Sequence, residues 1–230
     1  MSTFPELLAE TPTAAEQPCL TASREQVQSP AVPSQTSVRA DQIHALVQRL
    51  FFQHGSEPVR HVGFAAVDST SDAAALCLDV AKALAEEGRY DVGLIDAYSQ
   101  SIPLQAQLQI PSPNQALTSW PIAPHLWMVP RESWLPETRG QQITDQNLSR
   151  LRELTSEYDY SILWCAPVSW LTASIGHACD GLVLVLTANK TRRLVAAQIK
   201  DQLNKAQVPL LGTVLAERRF PVPQGLYRSL

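Results

Sequence analysis

The fold of this chain is decided by residues 61–97, HVGFAAVDSTSDAAALCLDVAKALAEEGRYDVGLIDA. An apolar run of strand length comes first, followed by a polar turn and then by an Ala- and Leu-rich segment of helical length. A second apolar run, which ends in Asp96 and Ala97, predicts another strand. Short, continuous apolar strands joined by a helix are typical of a parallel sheet that is buried on both faces.

The alternation of strands and helices continues to residue 217. Apolar runs predict further strands, and apolar residues at helical spacing predict further helices. Residues 98–120 contain three prolines and are expected to be irregular. The pattern predicts an α/β, doubly wound, mostly parallel sheet with helices on both faces. The predicted strands beyond residue 97 are 125–130, 160–167, 181–189 and 210–217, and the predicted helices are 38–52, 72–87, 144–158 and 191–207.

Composition and charge argue against a nucleic-acid-binding protein and against a membrane-spanning one. Hydrophobic residues make up 45% of the 230 positions, which allows a sizeable core, and the formal net charge is −4. This acidic balance argues against nucleic acid as the main partner. No apolar run reaches the ~18–20 residues of a membrane span. The first residues also lack a basic and apolar leader, so a cytoplasmic location without direct membrane insertion is expected.

The first 36 residues differ in composition from the rest of the chain. They are rich in Pro, Ser, Thr, Gln and Ala and contain few large apolar side chains. Such a segment cannot bury enough surface to offset the entropy of ordering, which predicts a disordered tail at residues 1–36 and one domain at residues 37–230. The cysteines form no Cys-x-x-Cys pair, so no metal site is predicted, and Cys77 and Cys165 are expected to be buried thiols.

Four segments, in this order, resemble one family. Their order and spacing over residues 37–230 resemble the cytoplasmic P-loop domain of the bacterial tyrosine autokinases, which are related to the MinD- and ParA-like ATPases and act in capsule and exopolysaccharide synthesis. The resemblance implies a P-loop NTPase-like domain that contacts a membrane polysaccharide co-polymerase and can form rings. The segments are residues 61–97, YDYSILWCAPVS at 158–169, ACDGLVLVLTANKTRRLVAAQIKDQL at 178–203 and VPLLGTVLAERRFPVPQGLYRSL at 208–230.

The family's phosphate-binding loop has different residues in this sequence. Family members end the loop in Gly-Lys-Ser/Thr-Thr, whose backbone and lysine hold the phosphates and whose hydroxyl holds Mg²⁺. The matching residues are Asp72, Ala73 and Ala74, and Ser69 or Ser71 is expected to cap the helix that follows. A unit charge ~4 Å from a phosphate oxygen is worth about 4 kcal/mol at an effective dielectric constant of ~20. Losing the lysine and adding a carboxylate is therefore expected to abolish ordinary Mg-ATP binding.

Three more family positions are replaced and one is kept. Trp164 stands where the family has the Asp that orients Mg²⁺, and its bulk is expected to fill that place. Ala216 replaces the Asn that reads adenine. Asp96 matches the family's Asp after the second strand, which helps the metal or acts as a base, while Tyr98 replaces the second Asp. The resemblance therefore implies no bound cofactor and no metal site, and Asp96 is the retained family position.

Lys190, Arg192 and Arg193 form a basic cluster before a predicted helix. An anion or an acidic segment of a partner is one interpretation of this cluster, and a solvated helix start capped by Thr191 is the other. The helix at 38–52, which carries Arg39, occupies the place of the family's oligomerisation helix.

The leading hypothesis is a non-catalytic pseudo-ATPase or pseudokinase that regulates or scaffolds a bacterial exopolysaccharide-synthesis complex. Its partner would be a protein, a membrane co-polymerase or synthesis complex, reached from the cytoplasm, and it would also self-assemble. The alternative is an atypical active ATP-dependent tyrosine kinase or ATPase that uses ATP, Mg²⁺ and Asp96 and takes a lysine from another subunit. A MinD-like positioning protein is a third hypothesis, which no terminal amphipathic helix supports.

Overall fold

A seven-stranded sheet forms the centre of the protein in the computed structural model. The structure describes residues 35–53, 58–67, 72–87, 89–98, 102–113, 117–135, 143–165, 167 and 170–217. The strands are β1 (His61–Ala66), β2 (Val92–Ala97), β3 (Trp120–Ala123), β4 (Leu126–Val129), β5 (Tyr160–Cys165), β6 (Gly181–Thr187) and β7 (Leu210–Ala216).

The strands run across the sheet in the order β3-β4-β2-β5-β1-β6-β7. All neighbours are parallel except β3 and β4, which form an antiparallel pair at one edge. The predicted α/β, doubly wound, mostly parallel sheet is therefore confirmed. Strand β3 was not predicted because it contains Pro121, which lacks the N–H of a ladder bond and is tolerated on an edge strand.

Helices cover both faces of the sheet. They are α1 (Gln35–Val47), α2 (Ala73–Glu86), α3 (Leu104–Gln107), α4 (Asp145–Ser156), α5 (Trp170–Gly176) and α6 (Arg193–Lys205). A π-helical turn, Gln48–Phe52, continues α1, and a 3-10 turn, Arg131–Ser133, follows β4. No helix in the described part of the chain is long and apolar enough to cross a membrane.

The observed helices differ from the sequence-based predictions in three places. Helix α3 interrupts the segment that was expected to be irregular, so that prediction is wrong for Leu104–Gln107. Helix α5 was not predicted, because its seven residues are too few for a helical period to stand out. Helix α1 begins at Gln35, two residues inside the predicted tail, and residues 1–34 lie outside the described residues.

The buried side chains form one core on each face of the sheet. On one face, α1 and α2 cover strand residues such as Val62, Phe64 and Leu94. On the other face, α4, α5 and α6 cover alternate strand residues such as Ala65 and Ile95. Because both faces are buried, the strands read as continuous apolar runs in the sequence.

Candidate functional site

The carboxyl ends of the central strands β1, β2 and β5 lie side by side. Open α/β sheets bind their ligands just outside the carboxyl ends of the strands, where the strand order reverses. The register places Asp96 of β2 opposite Trp164 of β5, and Trp164 opposite Phe64 of β1. Ala73 and Ala74, at the start of α2, belong to the same buried cluster as Trp164. The structure thus brings these sequence-predicted positions together.

Asp72 is the N-cap residue of α2. Its Oδ1 accepts a hydrogen bond from the backbone N–H of Ala75 at 3.3 Å, and its carbonyl oxygen accepts one from Leu76 at 3.2 Å. Asp72 therefore lies one residue before the helix and not within its first turn, while Ser69 and Ser71 lie outside the described residues. The carboxylate places a negative charge where a helix N-terminus would otherwise attract an anion.

Trp164 and Tyr98 form an aromatic pair at the ends of β5 and β2. Their ring centroids are 5.2 Å apart and the rings are inclined at 71°, an edge-to-face arrangement. The indole is 6% exposed and packs into the same core as Ala73 and Ala74. Mg²⁺ binds oxygen ligands, and neither an indole nor the methyl groups of these alanines can supply one.

Both carboxylate oxygens of Asp96 are bonded to backbone N–H groups. Oδ1 accepts from Tyr98 at 3.0 Å, and Oδ2 accepts from Leu104 at 2.8 Å. Because Leu104 is the first residue of α3, the carboxylate attaches this short helix to the end of β2. The side chain is fully buried, and its burial raises its pKa to about 6 against the opposing effect of the two N–H groups and of the Arg131 charge.

Arg131 and Trp134 complete the surroundings of Asp96. Arg131 Nη1 donates to the carbonyl oxygen of Tyr98 at 3.2 Å, and Trp134 Nε1 donates to the carbonyl oxygen of Asp96 at 2.9 Å. Sequence reasoning missed both residues. The signal that could have found them is their position directly after a predicted strand, whose carboxyl end had to lie at the same edge of the sheet.

The basic cluster follows the carboxyl end of β6, in the turn before α6. Lys190 Nζ pairs with Glu217 Oε2 at 3.0 Å. Arg192 is the N-cap residue of α6, and the Oγ1 of Thr191 accepts a hydrogen bond from Thr187 N at 2.8 Å. The expectation that Thr191 caps this helix is therefore wrong.

A depression of about 380 Å³ lies beside this cluster. It is lined by the end of β6, by Arg193 and Ala196 of α6, and by Leu215 of β7. Ala216, which was assigned to the adenine-reading position, ends β7, and its carbonyl oxygen accepts a hydrogen bond from Ala188 at 2.9 Å. Strands β5 and β1 thus lie between β2, which carries Asp96, and β6, which the cluster follows.

The described cysteines are free thiols. Cys77 and Cys165 are buried, which confirms the prediction for both residues. Burial raises the pKa of both thiols far above the ordinary value and that of Cys179 to about 12. These thiols are protonated near neutral pH and are therefore poor nucleophiles.

Comparison with known proteins identifies the fold. No protein-family model and no curated protein matches the chain. Among solved structures, the chimerical protein CapA2B2 matches with a TM-score of 0.62 at 14% identity, over 83% of this chain and 86% of that one. The VpsO kinase domain matches with a TM-score of 0.61 at 16% identity, over 80% of this chain and 98% of that one.

The same fold occurs in a partition-type ATPase. The ParA family ATPase from Chlorobium tepidum matches with a TM-score of 0.57 at 18% identity, over 68% of this chain and 73% of that one. At such low identities the likeness shows the fold alone. The described chain therefore has the P-loop NTPase-like fold that is shared by these kinase domains and ParA-type ATPases.

Proposed function

We propose that this protein is a non-catalytic relative of the bacterial tyrosine autokinases, a pseudo-ATPase that regulates or scaffolds exopolysaccharide or capsule synthesis. The observation that carries the proposal is the arrangement of Asp96. Both of its carboxylate oxygens accept backbone N–H groups within the protein, from Tyr98 and Leu104. The retained acidic residue thus holds α3 against the end of β2, and its side chain is fully buried, so a substrate or a metal ion would have to displace neighbouring groups to reach it.

The start of α2 supports the same proposal. The carboxylate of Asp72 accepts the backbone N–H of Ala75 at the helix N-terminus, so a phosphate group would compete with this carboxylate for that N–H. Ala73 and Ala74 are buried, and neither provides the cation or the hydroxyl that a triphosphate and its Mg²⁺ require. The described residues at the carboxyl ends of β1, β2 and β5 therefore do not fit Mg-ATP.

The size of this effect decides the expected affinity. The missing lysine removes an attraction to the phosphates, and the carboxylate of Asp72 adds a repulsion. Each is worth about 4 kcal/mol at ~4 Å and an effective dielectric constant of ~20, and both weaken phosphate binding. Even half of their sum lowers the affinity about a thousandfold, because each ~1.4 kcal/mol is a factor of ten. A micromolar Kd would become a millimolar one.

The pathway is supported by the resemblance of four ordered segments to the autokinase domain and by a fold shared with CapA2B2 and the VpsO kinase domain. In this proposal the partner is a protein, the membrane polysaccharide co-polymerase or its synthesis complex. Binding to it would hold the chain at the cytoplasmic side of the membrane. Self-assembly through α1 is less well supported, because Arg39 pairs with Asp79 of the same chain at 2.6 Å.

Titration calorimetry of the full chain with Mg-ATP and with Mg-ADP tests the proposal. We expect no saturable heat at about 1 mM nucleotide and no thermal shift, and a catalytically active kinase domain of the same fold serves as the positive control. Saturable binding with a Kd near ~10 μM would overturn the proposal and favour the alternative, an active ATP-dependent kinase or ATPase. In that case, loss of turnover in Asp96→Asn would identify the acidic residue as part of the reaction.

A further inference from the structure

The outer edge of β7 and the first turns of α6 form a surface that the described residues leave exposed. Strand β7 is the last strand of the sheet, and no strand in the described ranges pairs with its outer edge. Leu215 of β7 is 51% exposed, and Leu194 and Val195 of α6 are 70% and 37% exposed. These are three of the large apolar side chains that are exposed among the described residues, and they lie on two adjacent elements.

The same surface carries a concentration of positive charge. Residues 189–205 contain five basic residues and one acidic residue, a local formal charge of +4 in a chain whose net charge is −4. Lys190 pairs with Glu217, but no ion pair in the described part of the chain involves Arg192, Arg193 or Lys200. Basic side chains and exposed apolar side chains therefore adjoin each other at the start of α6.

We propose that this surface, Arg192–Val195 of α6 together with the outer edge of β7, is the docking site for an extended acidic segment of a partner protein that carries large apolar side chains. The free strand edge supplies backbone hydrogen-bonding groups, since alternate residues of β7 direct their N–H and C=O groups away from β6. Apolar side chains of the segment would cover Leu194 and Leu215 and enter the depression of about 380 Å³ that Leu215, Arg193 and the end of β6 line.

The charge of the surface decides between the candidate occupants. A second copy of this chain would bring the charges of Arg192 and Arg193 on two such surfaces together, and their repulsion would oppose such a dimer. A nucleic acid would match the charge, but the described residues of this surface include no aromatic side chain on which bases could stack, and the exposed leucines and valine would face phosphates. An acidic segment with apolar anchors matches both the charge and the exposed leucines.

This inference does not rest on the proposed loss of nucleotide binding. The docking surface lies at the β6–β7 end of the sheet, whereas Asp96 lies in β2. Saturable Mg-ATP binding would overturn the proposed function and leave the docking surface standing. Failure of the selection described next would overturn the docking surface and leave the proposed function standing.

The test selects random dodecapeptides displayed on phage against the full chain. We expect the enriched peptides to combine Asp or Glu with Leu, Ile or Phe, and the best of them to bind Arg192→Glu/Arg193→Glu at least about tenfold more weakly than wild type by fluorescence anisotropy. Leu215→Ser should weaken binding about fivefold or more. The control Lys82→Glu/Arg150→Glu reverses two exposed basic residues on other helices and should bind as wild type does.

Four outcomes would overturn the proposal. One is the absence of enriched peptides, and another is enrichment without an acidic bias. A third is equal weakening by the control variant, which would mean that net charge alone determines binding. The fourth is a better occupant, either a single-stranded oligonucleotide that displaces the peptide or a dimer in sedimentation that Leu215→Ser dissociates. All substituted residues are exposed, so unchanged thermal unfolding of each variant would confirm that the fold is intact.

Discussion

The indole Nε1 of Trp134 donates a hydrogen bond of 2.9 Å to the carbonyl oxygen of Asp96, a residue 38 positions earlier in the chain. The carboxylate of the same Asp96 accepts N–H groups from Tyr98 and Leu104. One buried residue thus joins the end of β2, the start of α3 and the turn after β4. The protein's own groups thus hold these three elements together at the carboxyl end of β2.

We predict that Trp134→Phe lowers the free energy of unfolding by about 1–3 kcal/mol, because the buried carbonyl of Asp96 loses its donor. Trp127→Phe is the control, since Trp127 lies on β4 and is only half-buried. Urea denaturation of both variants measures the effect. Equal losses in the two variants would show that ring size, and not the hydrogen bond, is responsible.

Asp96 should make the stability depend on pH. Burial raises its folded pKa to about 6, above the unfolded value of 3.8. The stabilisation from this carboxyl is therefore present at low pH and is lost as the pH rises through about 6. The difference in unfolding free energy between wild type and Asp96→Asn should fall by roughly 2 kcal/mol from about pH 4.5 to about pH 7.5.

Urea titrations of wild type and Asp96→Asn at several pH values test this dependence. The Asn side chain does not titrate, so the pH dependence of the unfolding free energy of Asp96→Asn comes from all other residues. Subtracting it from the wild-type pH dependence leaves the contribution of Asp96. A constant difference across this pH range would mean that the folded pKa of Asp96 is not raised.

The packing of the π-helical turn provides a matched pair of substitutions. Phe51 is 4% exposed and contacts the ring of Tyr160 edge-on at 5.4 Å, whereas the neighbouring Phe52 is 39% exposed. Phe51→Ala should lower the free energy of unfolding by about 3–5 kcal/mol through the cavity that it leaves. Phe52→Ala should cost less than about 1 kcal/mol in the same denaturation experiment. A larger loss of stability in Phe52→Ala than in Phe51→Ala would mean that Phe52, and not Phe51, is the buried ring.

Two glycines near the β6–β7 end of the sheet provide a second matched pair. A Cβ on Gly181 would lie 2.8 Å from the carbonyl oxygen of Pro209, which accepts the backbone N–H of Leu182. Gly181→Ala should therefore destabilise the fold by about 1–3 kcal/mol. A Cβ on Gly212 meets no described atom within 4 Å, so Gly212→Ala should leave the melting temperature nearly unchanged. Equal melting temperatures for both variants would contradict the steric argument.

Most of the sheet was predictable from the sequence, because strands buried on both faces require continuous apolar runs with few alternative interpretations. The missed elements lack that signal. Strand β3 contains Pro121 and pairs at an edge, where a missing N–H is tolerated. Helices α3 and α5 have four and seven residues, which is too short for a helical period to be read from the sequence.

The candidate site was predictable only in part. The resemblance identified six candidate positions, and the structure places most of them near the carboxyl ends of β2 and β5. They are Asp72, Ala73, Ala74, Asp96, Trp164 and Ala216. Their bonding partners were not predictable, because Leu104, Arg131 and Trp134 come from segments whose positions depend on the strand order β4-β2-β5. Likewise, the pairing of Lys190 with Glu217 removes one member of the basic cluster, which the sequence alone could not indicate.

The sequence by itself determined the alternation of buried strands and helices and the absence of a lysine, a glycine and a hydroxyl at the start of α2, because residue type and apolar spacing are local properties. Only the tertiary structure decided what Asp96 does and which face is left uncovered. Both depend on which segments lie side by side, and a buried carboxylate takes whatever N–H groups the neighbouring elements bring within reach.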